Sequence, residues 1–245
     1  LASIPDPMFR QTTRDFCVNQ QFRKDYWVKG CRTLTALEQA EALRGQRILL
    51  AQPRADVGLK VTGSLGEATL QEAVYGPILD QLADHKPKTL GQLEQALKAT
   101  PSTQSLSFAQ ILQAAMVLSA TGAVQAVQDD AVVQKAKKRT DRLNVYLMTK
   151  ARSSNELSYL ASPVTGGGVT VPRFQQLFLL AKQQGHKHPQ DWANFVWNIL
   201  ALQNQRLVKD GKTLETVEEN LAELTAQASE FAEKQLPILK ALQIA

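Results

Sequence analysis

Leu160–Lys182 reads LASPVTGGGVTVPRFQQLFLLAK: a proline, three consecutive glycines and a second proline lead straight into a helical pattern. Phe174, Leu177, Phe178 and Ala181 recur three to four residues apart, so they share one face of a helix. Gly166, Gly167 and Gly168 permit backbone conformations that a side chain forbids. Pro172 suits a first helical turn, where its missing N–H is no loss. A glycine-rich loop opening a helix can cradle an anion on bare N–H groups. Glycines serve turns far more often than phosphates, so a structural elbow between packed helices is the stronger reading.

Downstream of this corner the pattern stays helical. HPQDWANFVWNILALQNQ places Trp192, Phe195, Val196, Ile199 and Leu200 inward. A glutamate-rich helix spans Leu214–Phe231, and a short apolar one Leu236–Ile244. Just upstream, LNVYLMTKAR continues a helix that stops near Ser153. The most basic run, QKAKKRTDR (Gln134–Arg142), reads as a solvated helix start or linker face at a domain boundary rather than a phosphate contact, since charge runs usually face water.

The first half mixes element types. Residues 1–15 carry Pro5 and Pro7 and read as an irregular lead-in. Arg23–Gly30, Arg47–Pro53 and the run from Leu59 suit strands of one small sheet, with a short helix over Thr33–Leu43. From Thr69 the helical spacing returns. Thr89 and Ser107 are N-caps of the next two helices, and Gly122 ends the second. Ala123–Asp130 completes the segment as a strand. Helix, short helix, longer helix and then a strand pair is the order of a winged-helix-like unit. The fold expected is therefore mainly α (α+β), with a small N-terminal sheet and winged-helix-like domain over residues 1–133. An all-α helical domain with the glycine-rich loop follows over residues 134–245.

The chain has 245 residues, 44% hydrophobic and 21% charged, enough to bury ordinary cores. A net charge of +5 permits a nucleic-acid partner without demanding one. Only Cys17 and Cys31 are present, which fits a reducing cytoplasm better than a disulfide framework. No apolar run reaches the roughly 20 residues of a membrane helix. The opening LASIPDP has neither an initiator Met nor a secretory pattern, and reads as that of a fragment or a processed product.

Catalytic signatures are few. Asp129–Asp130 and Glu218–Glu219 are adjacent residues that diverge by about 100° on a helix and form no acid–base couple. His186, His188 and Asp191 lack a third strong metal ligand, and His85 reads as a loop residue. Cys17 and Cys31 have no histidine nearby in sequence to act as base. Neither glycine-containing segment follows the strand–GxGxxG–helix order of dinucleotide binding, and VTGSLGEATL lacks the Lys of a P-loop.

FRKDYWVKG (Phe22–Gly30), RSSNELSYLASPVTGGGVTVPRFQQLFLLA (Arg152–Ala181) and RLVKDGKTLETVEENL (Arg206–Leu221) resemble the region downstream of the catalytic domain in bacterial S-adenosylmethionine-dependent methyltransferases. That region carries a methyltransferase regulatory domain and is similar to the non-catalytic C-terminal part of rickettsial-type protein-lysine methyltransferases. The resemblance implies a non-catalytic regulatory and substrate-recognition region in a bacterial, cytoplasmic enzyme. It implies no catalytic, cofactor or metal residue in this chain, with S-adenosylmethionine held by a missing catalytic domain of the same polypeptide. The partners implied are that domain and a protein substrate. Contacts are expected at the loop residues Thr165, Gly166, Gly167 and Gly168, with Arg173, then Arg152 and Lys209; Arg173 reads either as a bidentate clamp for an acidic group or as the partner of a carboxylate on a neighbouring helix. The alternative is a winged-helix nucleic-acid-binding module. It is disfavoured because SFAQILQAAMVLSATG, the helix that would read a groove, holds no Lys or Arg.

Overall fold

The computed structural model describes residues 1–25, 28–30, 32–63 and 66–245. Helices α1 (Pro7–Cys17) and α2 (Ala36–Arg44) lead to strand β1 (Arg47–Leu50). The hairpin of β2 (Lys60–Gly63) and β3 (Gly66–Thr69) precedes α3 (Glu72–Leu82), β4 (Lys88–Thr89) and α4 (Leu90–Lys98). Next come α5 (Phe108–Ala120), β5 (Val124–Ala126) and the long α6 (Asp130–Lys150). A second hairpin, β6 (Tyr159–Ser162) and β7 (Gly167–Thr170), feeds α7 (Arg173–Gln183) and α8 (Pro189–Leu202). The chain ends with β8 (Val208–Lys209), β9 (Lys212–Thr213), α9 (Val217–Glu230), a π turn over Phe231–Gln235, and α10 (Leu236–Ala241). The architecture is mainly helical, with small antiparallel sheets.

Helix starts follow local chemistry. Thr35, Thr89, Ser107 and Thr216 each accept from the N–H three residues on, and the Glu or Gln there returns the bond. Each box satisfies two N–H groups that a helix end otherwise leaves open.

The strand β1 joins two cores. Side chains alternate across a strand. Ile48 and Leu50 enter a core built from α3, α4 and α5, with Leu79, Leu93, Ile111 and Leu118 fully buried. Leu49, between them, enters the other core, formed by Leu160, Leu177, Phe178, Val196, Leu224 and Phe231. In that second core the Phe178 and Phe231 rings lie 5.6 Å apart, and the Trp192 ring meets Phe231 edge-on at 6.2 Å.

Several expectations are corrected. The strands at Arg47–Leu50 and Lys60–Gly63 exist but do not share a sheet: β1 lies between β4 and β5, and β2 pairs with β3 alone. In the strand expected over Arg23–Gly30, Tyr26 and Trp27 lie outside the described residues, and no strand runs through the residues on either side. The strand pair expected after α5 is single: β5 reaches back to β1, and α6 follows where a wing's second strand would stand. The second half is not all-α, because β6–β7 and β8–β9 interrupt it. Both hairpins were missed because their strands are only two to four residues long, too short to show the alternation that marks a strand; for β8–β9 the Asp210–Gly211 turn, with both residues at positive φ, was the available signal. Residues 1–15 are not irregular throughout: Asp6 caps α1, with Pro7 at its first position.

Candidate functional site

The glycine segment forms a hairpin turn. Tyr159 pairs with Thr170, Leu160 with Val169, Ala161 with Gly168 and Ser162 with Gly167, so Gly167 and Gly168 belong to a strand. Only Gly166, with φ of 72°, uses the left-handed region. The turn's donors are all engaged by Ser162: Val164 N–H and Thr165 N–H donate to its hydroxyl at 3.2 and 3.3 Å, and Gly166 N–H to its carbonyl at 3.0 Å. An anion cradle needs these groups free. Ser162 in turn donates to the Leu242 carbonyl at 2.8 Å, and Gln128 N–H donates to the Val164 carbonyl at 2.8 Å. The turn thus pins the C-terminal residues and the segment between β5 and α6. Asn144, buried in α6, exchanges two bonds with the Ala161 backbone at 2.7 and 2.8 Å and closes the edge of β6.

Arg173 is the hub of the corner. Its Nε donates to the Ala151 carbonyl at 2.8 Å and one terminal nitrogen to the Arg152 carbonyl at 3.1 Å. The side-chain oxygens of Gln205 and Gln203 accept at 3.0 and 3.2 Å. These are carbonyl and amide acceptors, not the carboxylate that the sequence suggested as its partner. The guanidinium caps the C-terminal end of α6, where the helix dipole favours a cation. Burial lowers its pKa from the ordinary arginine value. Arg152 meets Arg173 through its backbone, while its own side chain is exposed. Lys209 stands apart on β8, paired with Glu223 of α9 at 2.6 Å. That ion pair holds the Glu223 carboxyl below the usual carboxylate range. The expected site residues therefore divide into the hairpin, the Arg173 hub and a separate ion pair.

A cleft of about 270 Å³ opens beside α7, lined by Phe174, Phe178 and Phe231 with Asp56, Glu230 and Lys234. Lys234 pairs with Glu230 at 2.8 Å. Among the described residues no three His, Cys, Asp or Glu side chains gather as metal ligands. His188 N–H donates to Asp191 at the start of α8, His186 packs on Phe195, and His85 lies 2.9 Å from the Leu50 carbonyl. Cys17 is exposed at the end of α1, and Cys31 lies outside the described residues. No helix among the described residues is long and apolar enough to cross a membrane.

The surface that sequence reasoning missed is on α1. Phe9 and Phe16, seven residues apart, share one face, and Phe16 is 83% exposed. No residue of α1 is buried. A helix of 11 residues is shorter than the roughly 12–15 that stand alone in water. The Asp-Pro start and the Phe spacing were the available signals.

Residues 1–29 match the model of a family described as "Predicted methyltransferase regulatory domain". Across 244 residues the chain is 38% identical to an uncharacterized protein of the cyanobacterium Synechocystis, sll1526. The match takes in all of this chain and 46% of that relative, so the chain spans about half the length of the curated protein it matches. No solved structure matches the chain.

Proposed function

We propose that this chain is the regulatory and substrate-recognition part of a bacterial, cytoplasmic S-adenosylmethionine-dependent methyltransferase that acts on a protein. In this reading two modules, divided near residue 133, frame the substrate entrance of a catalytic domain in the same polypeptide. One observation carries the proposal. The stretch that matches the regulatory-domain family, residues 1–29, contains the helix that leaves Phe9 and Phe16 bare. An amphipathic helix too short to stand alone needs a partner for its apolar face. The rest of the methyltransferase supplies that partner.

The cofactor belongs to that other part. Holding S-adenosylmethionine in a doubly wound fold takes a parallel strand, a glycine-rich loop and a helix, plus an acidic residue for the ribose. The glycine segment here does not fit: it joins two antiparallel strands, and Ser162 occupies the N–H groups of its turn. Arg173 does not fit a substrate clamp either, since four protein acceptors surround its guanidinium.

The test uses the Synechocystis relative. The part of that protein outside the matched region is expressed separately and titrated with this chain by calorimetry. Binding is expected, with at least a tenfold loss for Phe9→Ser/Phe16→Ser. No binding, or binding indifferent to those substitutions, removes α1 as the docking element. Titration with S-adenosylmethionine is expected to give no heat with this chain alone; one-site binding would reopen the enzyme reading.

A further inference from the structure

The basic run Gln134–Arg142 does not sit in a linker. It lies inside α6, a helix of 21 residues. At 3.6 residues per turn, Lys135, Arg139, Arg142, Tyr146 and Lys150 fall in one stripe, each three or four residues beyond the last. All five are exposed, while Val133, Asn144 and Met148 hold the opposite face in the core. Among the described residues no carboxylate pairs with any of the four cations. The ion pair in this part of the helix joins Lys137 and Asp141, neither of them in the stripe.

Such a stripe works against the helix that bears it. Lys135 and Arg139 are like charges four residues apart, as are Lys138 and Arg142 just beside them, and such pairs weaken a helix. A sequence that keeps a locally unfavourable pattern on an exposed face points to a use for it. Tyr146 sits between Arg142 and Lys150 with 58% of its surface open, and the Lys150 ammonium stands 5.5 Å from the ring centre. Cations stepping along an exposed face, with an aromatic ring among them, are the parts that hold a single strand: phosphates on the cations, an unpaired base on the ring.

We propose that the exposed stripe of α6 binds single-stranded nucleic acid, with Lys135, Arg139 and Arg142 on successive phosphates, Lys150 on the next but one, and Tyr146 stacked on a base. Successive cations climb roughly 4.5–6 Å along the axis, or up to about twice that across Tyr146, a spacing suited to an extended backbone. This places the contact away from α5, which carries no Lys or Arg and exposes Met116 instead. An acidic protein segment would engage the same cations, but its carboxylates offer no flat group to stack on the open face of the ring.

The test is fluorescence anisotropy of a dye-labelled twelve-residue oligouridylate titrated with the intact chain at low salt. Micromolar binding is expected. Its logarithm should fall with log salt at a slope near −3, from roughly 0.7 per neutralised phosphate. The variant K135Q/R139Q/R142Q/K150Q should bind at least tenfold more weakly while melting no lower than the parent. Tyr146→Ala should weaken binding severalfold and leave the salt slope unchanged, which keeps the proposal open to test even if the quadruple variant does not fold. Absence of binding, or binding that neither variant alters, overturns it. Tighter binding of polyglutamate than of oligouridylate overturns it as well, in favour of an acidic protein partner.

Discussion

Helices α1 and α7 are alike in sequence and opposite in environment. Each has 11 residues, each begins beside a proline, and each carries two phenylalanines on its apolar face. In α7, Leu177, Phe178 and Ala181 are wholly buried. In α1 nothing is buried. Periodicity specifies which face of a helix is apolar but not what covers it. The partners of α7 are α6 and α8 of the same chain, whereas α1 faces water. The difference separates a helix that holds the fold together from one that presents a surface.

The strongest way to break this comparison is through Phe178. Phe178→Ala removes a ring that touches Phe231 at the centre of the second core, and large-to-small changes of this kind cost about 3–5 kcal/mol. Urea denaturation of the intact chain should show that loss as a lower midpoint. A cost below about 1 kcal/mol would mean that the core is looser than its burial implies, and α7 would no longer differ in kind from α1.

Next in size is Arg173. Arg173→Ala strips the Ala151 and Arg152 carbonyls of a charged donor, and removal of such bonds costs about 2 kcal/mol. Arg173→Lys should recover less than half of it, because one ammonium cannot span four acceptors arranged around a planar fork. Full recovery by Lys would show that charge at the end of α6, rather than the fork, is what matters. Thermal melts of both variants decide between these accounts.

Much of this architecture was legible from residue patterns, for reasons that differ by element. Thr89 and Ser107 declare helix starts because their capping is local, within three residues. The apolar faces of α7 and α8 were readable for the same reason: periodicity is a local property. Strand pairing was not readable. The partners of β1 lie 40 and more residues downstream, at Lys88–Thr89 and Val124–Ala126, and nothing within RILL names them. The glycine hairpin was half visible. Its turn chemistry was in the sequence, but its donors are taken by Ser162, a residue with no signal of its own. Arg173 was singled out as a ligand clamp, yet two of its four acceptors are backbone carbonyls, which every residue possesses and no motif advertises, and the other two are glutamines 30 and 32 residues downstream. The basic run was seen in full, but its meaning depended on α6 continuing unbroken from Asp130 to Lys150.

A smaller effect concerns pH. Glu94 of α4 is nearly buried and bridges Arg44 at 2.8 Å and Lys98 at 2.6 Å, tying α2 to the first core. Those two cations hold its carboxyl below the usual carboxylate value. A carboxyl lowered in the fold adds stability above its unfolded pKa of about 4.3, and that stability is lost as pH falls through the lower folded value. Acidification below about pH 4.5 should therefore lower the melting temperature more in the parent chain than in Glu94→Gln. The shift should be smaller than that of Arg173→Ala, because Arg44 is partly exposed and its pairing is screened by solvent. Equal pH dependence in both proteins would mean that the bridge adds nothing to the docking of α2.

The smallest expected change is at Phe9 and Phe16. With Phe16 83% exposed, its replacement by Ser removes almost no contact from the folded chain. Phe9→Ser/Phe16→Ser should leave the urea midpoint within the equivalent of about 0.5 kcal/mol of the parent. Binding of an apolar dye should fall at the same time, since the face that attracts it is gone. The two readouts together sharpen the contrast with α7, where loss of one phenylalanine costs stability and exposes the core. A destabilisation approaching that of Phe178→Ala would show that α1 packs on its own chain in solution, and the apolar face would then have its partner without any second domain.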